Sequence, residues 1–557
     1  MSELASGPPA QREPATTWPH APVVVLGAGP VGQTSALLLA RWGVPAVVLD
    51  QRPERDRTGS KAICQQRDVL DVWESVGAGH RIAAEGVTWT TARTFHRDAE
   101  LFSYALAEPG RPAFPPFVNI SQSRTEEILD ERIAREPLVD LRWGHRVTRV
   151  DQDGDGVDVR CTDGTVLRAP YVVACGGARC DGLRALLGVS FSGHSFDDRF
   201  LICDVRADLP GWERERRFYF DPVWNPGRQV LIHPCPDSTF RIDWQVPPGY
   251  DLEAEAASGA LDGRIRQIVG ERDYEIVWRS VYRFHSRVVD RMRVGRVLIA
   301  GDAAHLVSPF GARGLNSGVA DAENAAWKIA FVGHGWAPER LLESYHDERH
   351  AAAVENITVT SATMDFLVPP DEERARRRAE VLAGAATDPR VRAQVDSGRL
   401  AEPFWYVDSP LTTPSAERPF GGRPPRGQVP PAGPGVLLPD APVRTHGGGT
   451  GRIRSLARDG YLLLTTDGVP PAVARDAAAA ATGPVRVLDL AGIDVDGTLR
   501  AALAARPGEV WIVRPDAHIA AVLTHPTSAG ATAALHRAAG SAVPEEESHD
   551  GALQASR

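Results

Sequence analysis

Residues 22–50 read PVVVLGAGPVGQTSALLLARWGVPAVVLD, and they restrict the fold more than any other stretch of the chain. A short apolar run, Val23–Leu26, meets glycines at once. A helical pattern then runs from Ala36 to Arg41 and stops at Gly43, and a second apolar run, Ala46–Leu49, ends on Asp50. Strand, turn, helix and strand in so short a span predict a βαβ unit, because parallel strands need a crossover connection. Between the first strand and the helix lies Gly27-Ala28-Gly29-Pro30-Val31-Gly32. The first glycine permits the tight turn, the second lets the backbone approach a pyrophosphate, and the third lets helix and strand pack closely. The free N–H groups and positive dipole end of the helix then face phosphate. Asp50 follows Gly32 by 18 residues, where a carboxylate accepts hydrogen bonds from ribose hydroxyls. The pattern points to an adenine dinucleotide, NAD or FAD.

A second segment, residues 295–330, reads GRVLIAGDAAHLVSPFGARGLNSGVADAENAAWKIA. A strand, Val297–Ala300, runs into Gly301-Asp302, and Ser308–Asn316 forms a glycine-rich turn. From Ser317 the pattern is helical, with Val319, Ala322, Ala326 and Ile329 on one apolar face. This segment resembles the second FAD motif of the single-component flavin-dependent aromatic hydroxylases (group A flavoprotein monooxygenases), and it decides for FAD. The resemblance implies that Asp302, with Gly301, binds the ribityl chain. It places the backbone around Arg313–Asn316 against the pyrimidine side of the isoalloxazine, within a cofactor-binding set that includes Gly311, Gly314, Leu315 and Asn316, with Pro309 bordering the substrate. The fingerprint residues Gly27 to Gly32, with Asp50, Gln51 and Arg52, take the adenine-nucleotide side. Ser60-Lys61-Ala62-Ile63-Cys64 is similar to the stretch whose basic residue approaches the pyrophosphate, which implies that role for Lys61. Phe117 to Leu129 is similar to the helix whose glutamine touches the flavin, here Gln122.

One motif departs from the family. Where the family shows Asp-Gly, then Ser, then Arg after a strand, this chain reads Cys175-Gly176-Gly177-Ala178-Arg179-Cys180-Asp181-Gly182-Leu183-Arg184. Glycine replaces the acid, cysteine replaces serine, and one residue is inserted. The departure bears on contacts to FAD and NAD(P)H, and a purely structural turn is an equal reading.

Between the two FAD segments, Phe218–Asp221, Gln229–His233 and Phe240–Val246 alternate or run apolar with aromatics, as sheet strands do. The resemblance makes residues 191–285 a substrate-binding sheet domain over the flavin, lining the pocket together with Ala83–Leu106. Tyr219, His233, Arg241, Trp244 and His285 are pocket candidates, each also readable as ordinary strand filling or surface, and no catalytic base is assigned among them.

The expected fold class is therefore α/β. A Rossmann-type FAD-binding domain (21–190 and 286–400) is interleaved with the α+β substrate sheet domain, and a thioredoxin-like α/β domain follows at 435–540. Leu341 to Val395 reads as charged helices, and 401–434 as a linker or wrapping loop rich in Pro, Gly and Arg. In the C-terminal part, strands are expected at Tyr461–Thr465, Val485–Leu488 and Glu509–Val513. Val513 to Ala520 is similar to the end of the thioredoxin-like domain in the phenol hydroxylase and 3-(3-hydroxyphenyl)propionate hydroxylase branch. No cysteine follows Cys235, so that domain performs no thiol redox chemistry, and a structural or dimerising role remains. Residues 1–20 and 541–557 read as disordered tails.

The 62 basic and 72 acidic residues give a net charge of −10, and the basic set is almost all arginine, with lysine only at positions 61 and 328. That balance, without a basic run, offers no footprint for nucleic acid. No apolar stretch approaches the roughly 20 residues of a membrane span. Six scattered cysteines with no CxxC pair read as reduced cytoplasmic thiols, and no metal-ligand spacing is present. The activity implied by the resemblance uses bound FAD, with NADPH or NADH as a transient reductant. Oxygen then adds at flavin C4a, and the hydroperoxide passes one atom to a phenolic or polycyclic aromatic substrate. Baeyer–Villiger, epoxidation or decarboxylative outcomes of the same chemistry stay open. So does a poorly reducible flavin-binding assembly protein, the reading that the altered Cys175–Arg184 segment motivates. The partners implied are a small aromatic substrate and O2, with a homodimer as the allowed assembly.

Overall fold

The computed structural model describes residues 18–57, 62–106, 111–425, 428–445 and 447–541. Lys61 and the greater part of both expected tails lie outside these residues. The chain divides into two units, the first made of residues 1–107, 114–334 and 349–402, the second of 108–113, 335–348 and 403–557.

The first unit holds two large sheets. One has six strands in the order Arg293–Val294, Val297–Ile299, Val172–Ala174, Val23–Leu26, Ala46–Asp50, Val139–Trp143. All its pairings are parallel except the short Arg293–Val294 edge. Its central strands are continuous valine and leucine runs because both faces are covered, which is how buried parallel strands read. The helix Pro30–Arg41 crosses from Val23–Leu26 to Ala46–Asp50 and packs along the helix Arg313–Gly333. Proline at the start of Pro30–Arg41 costs nothing there, since the first-turn N–H has no intrahelical acceptor.

The other sheet has eight strands: His305–Leu306, Tyr274–Val289, Phe191–Ala207, Thr239–Val246, Gln229–Cys235, Glu215–Phe220, Thr91–His96 and Ala99–Ala105. One face is apolar: Leu201, Cys203, Val230, Ile232, Ile242 and Trp244 pack against Leu261, Ile265 and Val269 of the helix Ala260–Val269. Phe200, Ile202, Phe218 and Leu231 lie on the other face, in a cluster with Phe310, Met364 and Leu382. The three expected strands here are present as Glu215–Phe220, Gln229–Cys235 and Thr239–Val246, the first ending one residue before the expected Asp221. The two longest, Phe191–Ala207 and Tyr274–Val289, had no counterpart in the sequence reading.

The second unit is built on a four-stranded sheet, Val485–Asp489, Tyr461–Thr465, Val510–Val513, Ile519–Leu523. Its first pair is parallel and the others antiparallel. The helices Pro471–Ala480 and Ser528–Ala538 pack on each other beside it. The described residues of 401–434 carry little regular structure, yet Trp405, Tyr406 and Leu411 are buried. Arg514 is fully buried and forked between Glu348 (2.5 and 3.0 Å) and Asp516 (2.5 and 3.1 Å). Among the described residues no helix is long and apolar enough to cross a membrane.

Candidate active site

A cleft of about 1090 Å³ runs from the glycine loop to the eight-stranded sheet, with all its lining in the first unit. The loop shows why each glycine stands where it does. Gly27 has φ +102°, and a Cβ there would lie 2.4 Å from the Cys175 carbonyl oxygen. A Cβ on Gly32 would lie 1.9 Å from the Gly27 oxygen. A Cβ on Gly29 would meet nothing within 4 Å, and Gly29 lines the cleft. The outer two glycines are thus forced by packing, while the middle one keeps open a space of the kind a phosphate fills at a helix N-terminus. The donor set and this cradle fit the pyrophosphate of a dinucleotide.

At the far end of Ala46–Asp50, the Asp50 carboxylate accepts from the Ala28 N–H (2.8 Å), the Arg52 N–H (2.9 Å) and the Arg52 guanidinium (3.0 and 2.9 Å). Burial opposes its charge, but the Arg52 and Ala28 hydrogen bonds win and hold the carboxyl below its ordinary range. Arg55, which the sequence reading passed over, ties the loop down. Its guanidinium donates to the Ala28 carbonyl (2.7 Å), Glu126 (2.8 Å) and Asp130 (2.7 and 2.6 Å). Only spatial proximity reveals Arg55, because its carboxylate partners lie on the distant helix Gln122–Ile133.

Most residues expected to bind cofactor converge on this cleft. Gly27, Gly29, Pro30, Val31, Asp50, Gln51, Arg52, Gln122, Asp302, Gly311, Gly314 and Leu315 line it, as does Pro309. Ala28, Gly32, Gly301 and Asn316 stand behind the lining. The Asn316 side chain is occupied internally: it donates to the Cys64 carbonyl (3.0 Å) and accepts from the Gln66 N–H (2.9 Å), joining the start of Arg313–Gly333 to Cys64–Gln66. Gln122 accepts from the Ala62 N–H (3.2 Å) and donates to Glu126 (2.8 Å).

The turn bearing Asp302 rests on buried polar anchors. Asp321, with no exposed surface, accepts from the Gly301 N–H (2.9 Å) and Arg349 Nε (2.7 Å) and pairs with His305 Nε2 (2.8 Å). Burial would raise its pKa, yet His305, Arg349 and these hydrogen bonds hold it at about 2. Arg184, from the departed motif, is buried and donates to the carbonyls of Ala303 (2.9 Å) and Asp302 (3.0 Å). The motif therefore braces the Asp302 turn through Arg184, while Gly176, Gly177, Ala178, Arg179 and Cys180 line the cleft. All six cysteines are free. His145, Cys161 and Asp163 bring donor atoms within 4.8 Å of one another beside the cleft, with His145 paired to Asp163 at 2.8 Å.

At the other end the cleft is walled by Phe200, Ile202, Leu231, Phe284 and Phe310 and carries four polar side chains, Arg216, His233, Arg241 and Asp243. Phe310 meets Phe200 and Phe284 at centroid distances of 5.3 and 6.2 Å, which brings the Pro309 turn onto the sheet. Of the sequence candidates, His233 and Arg241 line this end. Trp244 and Tyr219 belong to the helix-covered face, and His285 bonds Ser195 at 2.7 Å. Ala83–Leu106 adds nothing to the lining, contrary to expectation, because Thr91–His96 and Ala99–Ala105 form the far edge of the sheet.

The FAD binding domain family matches residues 20–360, more than half the chain, and the C-terminal aromatic-ring hydroxylase family matches 432–542. The chain belongs to the FAD-dependent aromatic-ring hydroxylases. The hydroxylase is 33% identical over 370 residues to a rifampicin monooxygenase of Streptomyces venezuelae, covering 64% of this chain and 74% of that one. It is 29% identical over 401 residues to a 3-(3-hydroxy-phenyl)propionate/3-hydroxycinnamic acid hydroxylase of a Mycobacterium species, covering 71% and 69%. Among solved structures, a ternary complex of aklavinone-11 hydroxylase with FAD and aklavinone superposes with a TM-score of 0.73 at 25% identity. That match covers 93% of this chain and 99% of that one. The hydroxylase is thus a flavoprotein monooxygenase, with FAD as its cofactor and NAD(P)H as its reductant.

Proposed function

We infer that the cleft holds FAD lengthwise, with its pyrophosphate at Gly29 and the N-terminus of Pro30–Arg41. Its adenosine ribose lies near Asp50 and Arg52, its ribityl chain near Asp302, and its ring system against the Gly311–Leu315 backbone. Gln51 completes this assignment on the adenine-nucleotide side and Gln122 on the flavin side. When bound, FAD supplies reduction by NAD(P)H and delivery of one oxygen atom from O2. The chain supplies position, charge and dryness. The amides beginning Arg313–Gly333 stabilise negative charge on the ring system. Phe200, Ile202, Leu231, Phe284 and Phe310 exclude water from the reacting face, where water would divert the reaction. The substrate is a phenolic aromatic lying on the sheet face opposite Pro309, its ring against the phenylalanines and its ring oxygen toward the polar side chains. The observation that carries this reading is the joining, in one cleft, of the Gly29 cradle to an aromatic wall bearing buried arginines.

The experiment is anaerobic mixing of the FAD-loaded protein with NADH or NADPH across a panel of phenols, followed by oxygenation and product mass. Substrate-dependent bleaching of the flavin and a gain of one oxygen atom are expected. No bleaching with any aromatic would refute the reading. A homodimer in a cytoplasmic setting completes the proposal, and light scattering of the loaded protein tests the assembly.

A further inference from the structure

The strand Thr239–Val246 alternates strictly. Phe240, Ile242, Trp244 and Val246 belong to the helix-covered face, so Arg241 and Asp243 stand on the cleft face. Register fixes their neighbours. Arg241 pairs with His233 on one side and Asp204 on the other, while Asp243 pairs with Leu231 and Ile202. Beyond Leu231 in the same row lies Phe218, which meets Phe310 at a centroid distance of 6.1 Å. Two strand spacings put Asp243 about 10 Å across the sheet from Phe218. Asp243 thus stands one aromatic ring's reach from where the Pro309–Phe310 turn touches the sheet.

Of the two carboxylates facing this spot, Asp204 is held in an ion pair and Asp243 is not; His233 Nδ1 is likewise buried without a hydrogen-bond partner. Asp204 holds the Arg241 guanidinium in a buried fork at 2.7 and 3.0 Å. Arg216, buried on the next strand but one, donates to the Ser397 carbonyl at 3.2 Å. Burial, then Arg216 and Arg241, push His233 well below its ordinary pKa, so its imidazole stays neutral and weakly basic. Burial raises the thiols of Cys235, and of Cys203 on the far face, to about 12. The Asp243 side chain has no hydrogen bond among the described residues. Its Oδ1 is buried without a partner, and the residue lines the cleft. A buried acceptor is costly to leave unmet, so an aromatic-walled cleft that keeps one is set up for a ligand that donates there.

We propose that Asp243 is the catalytic base that takes the ring-hydroxyl proton of the bound phenol. In that step the O–H bond breaks and its electron pair stays on the ring oxygen, which enriches the ring carbon that receives oxygen. The proton joins the Asp243 carboxylate and passes to water when product leaves. The step consumes no oxidant, and the cations of Arg241 and Arg216 face the phenolate it forms. Burial and the Asp204 charge lift the Asp243 carboxyl to about 7 against the pull of Arg241 and Arg216, close to where a base working at neutral pH is most effective.

This proposal rests on the hydroxylase reading, and its test separates the two. The FAD-loaded wild type, Asp243→Asn and Asp243→Glu are compared with phenol, whose hydroxyl ionises near pH 10 as in tyrosine, and with 4-nitrophenol, which is ionised at mildly alkaline pH. Binding is followed by perturbation of the flavin spectrum, and turnover by product mass from pH 6 to 9. Wild-type turnover of phenol should rise with pH through about 7. Asp243→Asn should bind phenol as before, lose the rising limb and turn over phenol about 10²–10⁴-fold more slowly. It should keep 4-nitrophenol turnover at alkaline pH within about threefold, because that substrate arrives deprotonated. Asp243→Glu should recover part of the phenol rate together with a rising limb. The proposal is overturned by a wild-type pH profile in Asp243→Asn or by equal losses on both phenols. It is also overturned by a wild type that binds neither phenol. In that last case, oxygenation of other aromatics leaves the hydroxylase reading standing, whereas absence of any oxygenated product removes it.

Discussion

Gly29→Ala separates cofactor binding from folding more cleanly than any other change in the glycine loop. Gly29 is the N-cap of Pro30–Arg41, with φ −73° and ψ 176°, a backbone conformation open to alanine. Its added methyl would meet no protein atom within 4 Å. The protein without cofactor should therefore lose only the preference of an N-cap for glycine over alanine, about 1 kcal/mol. The methyl instead occupies the space assigned to the FAD pyrophosphate, where a charge-assisted hydrogen bond to the loop is worth about 1.5–3 kcal/mol. That corresponds to roughly 10- to 150-fold weaker FAD binding. Gly32→Ala is the contrasting control. Its Cβ would lie 1.9 Å from the Gly27 oxygen, about 1.5 Å or more inside ordinary contact, so helix and loop must separate. Flavin fluorescence on release gives Kd, and denaturant unfolding of the apoprotein gives stability. The expected pattern is weak binding with near-normal stability for Gly29→Ala, and loss of folded protein for Gly32→Ala. Wild-type FAD affinity in Gly29→Ala would refute the placement of the pyrophosphate.

Three further outcomes are expected. Asp321→Asn should destabilise the first unit by about 3–5 kcal/mol, because it leaves Arg349 buried opposite a neutral group; unfolding in denaturant checks this. The Asp321 carboxyl sits at about 2 in the folded protein, below its unfolded value, so its contribution is complete above about pH 4. That contribution drains away as pH falls toward 2, and the acid limb of a stability–pH curve should flatten in Asp321→Asn. Glu348→Gln should destabilise the second unit by about 1–3 kcal/mol by stripping one of two carboxylates from the buried Arg514, readable as earlier proteolysis of residues beyond 403. Asn316→Ala should cost about 1–3 kcal/mol by unfastening Cys64–Gln66 from the helix start, measured as faster amide exchange at Gln66.

The nucleotide end of the site was legible because its constraints are local. A glycine between two strands, a carboxylate at a strand end and a helix start all fall within a few dozen residues. The substrate end was less so. Phe240-Arg241-Ile242-Asp243-Trp244-Gln245-Val246 announces a two-faced strand, but alternation says only that there are two faces, not which one meets solvent. Here the polar side chains turn inward, so Arg241 and Asp243 line the cleft where the ordinary reading places surface. Phe191–Ala207 and Tyr274–Val289 escaped notice because their outer halves are charged and partly exposed, and register shifts break the period of two. Arg55, Asp321 and Arg349 work across long separations in sequence, and no local pattern signals such pairings.

The six-stranded sheet is assembled from segments scattered between residues 23 and 299, with seven strands of the eight-stranded sheet threaded through the interval. On a ribosome the chain emerges from its N-terminus, so the glycine loop appears long before Val297–Ile299 and the Asp302 turn that complete its cleft. At 5–20 residues per second that delay is roughly ten to fifty seconds. During it, the apolar strand Val23–Leu26 waits for Val172–Ala174 as a neighbour, and the nascent chain holds half a binding site. FAD capture therefore comes late in biosynthesis, and a chain stopped before residue 297 should emerge colourless.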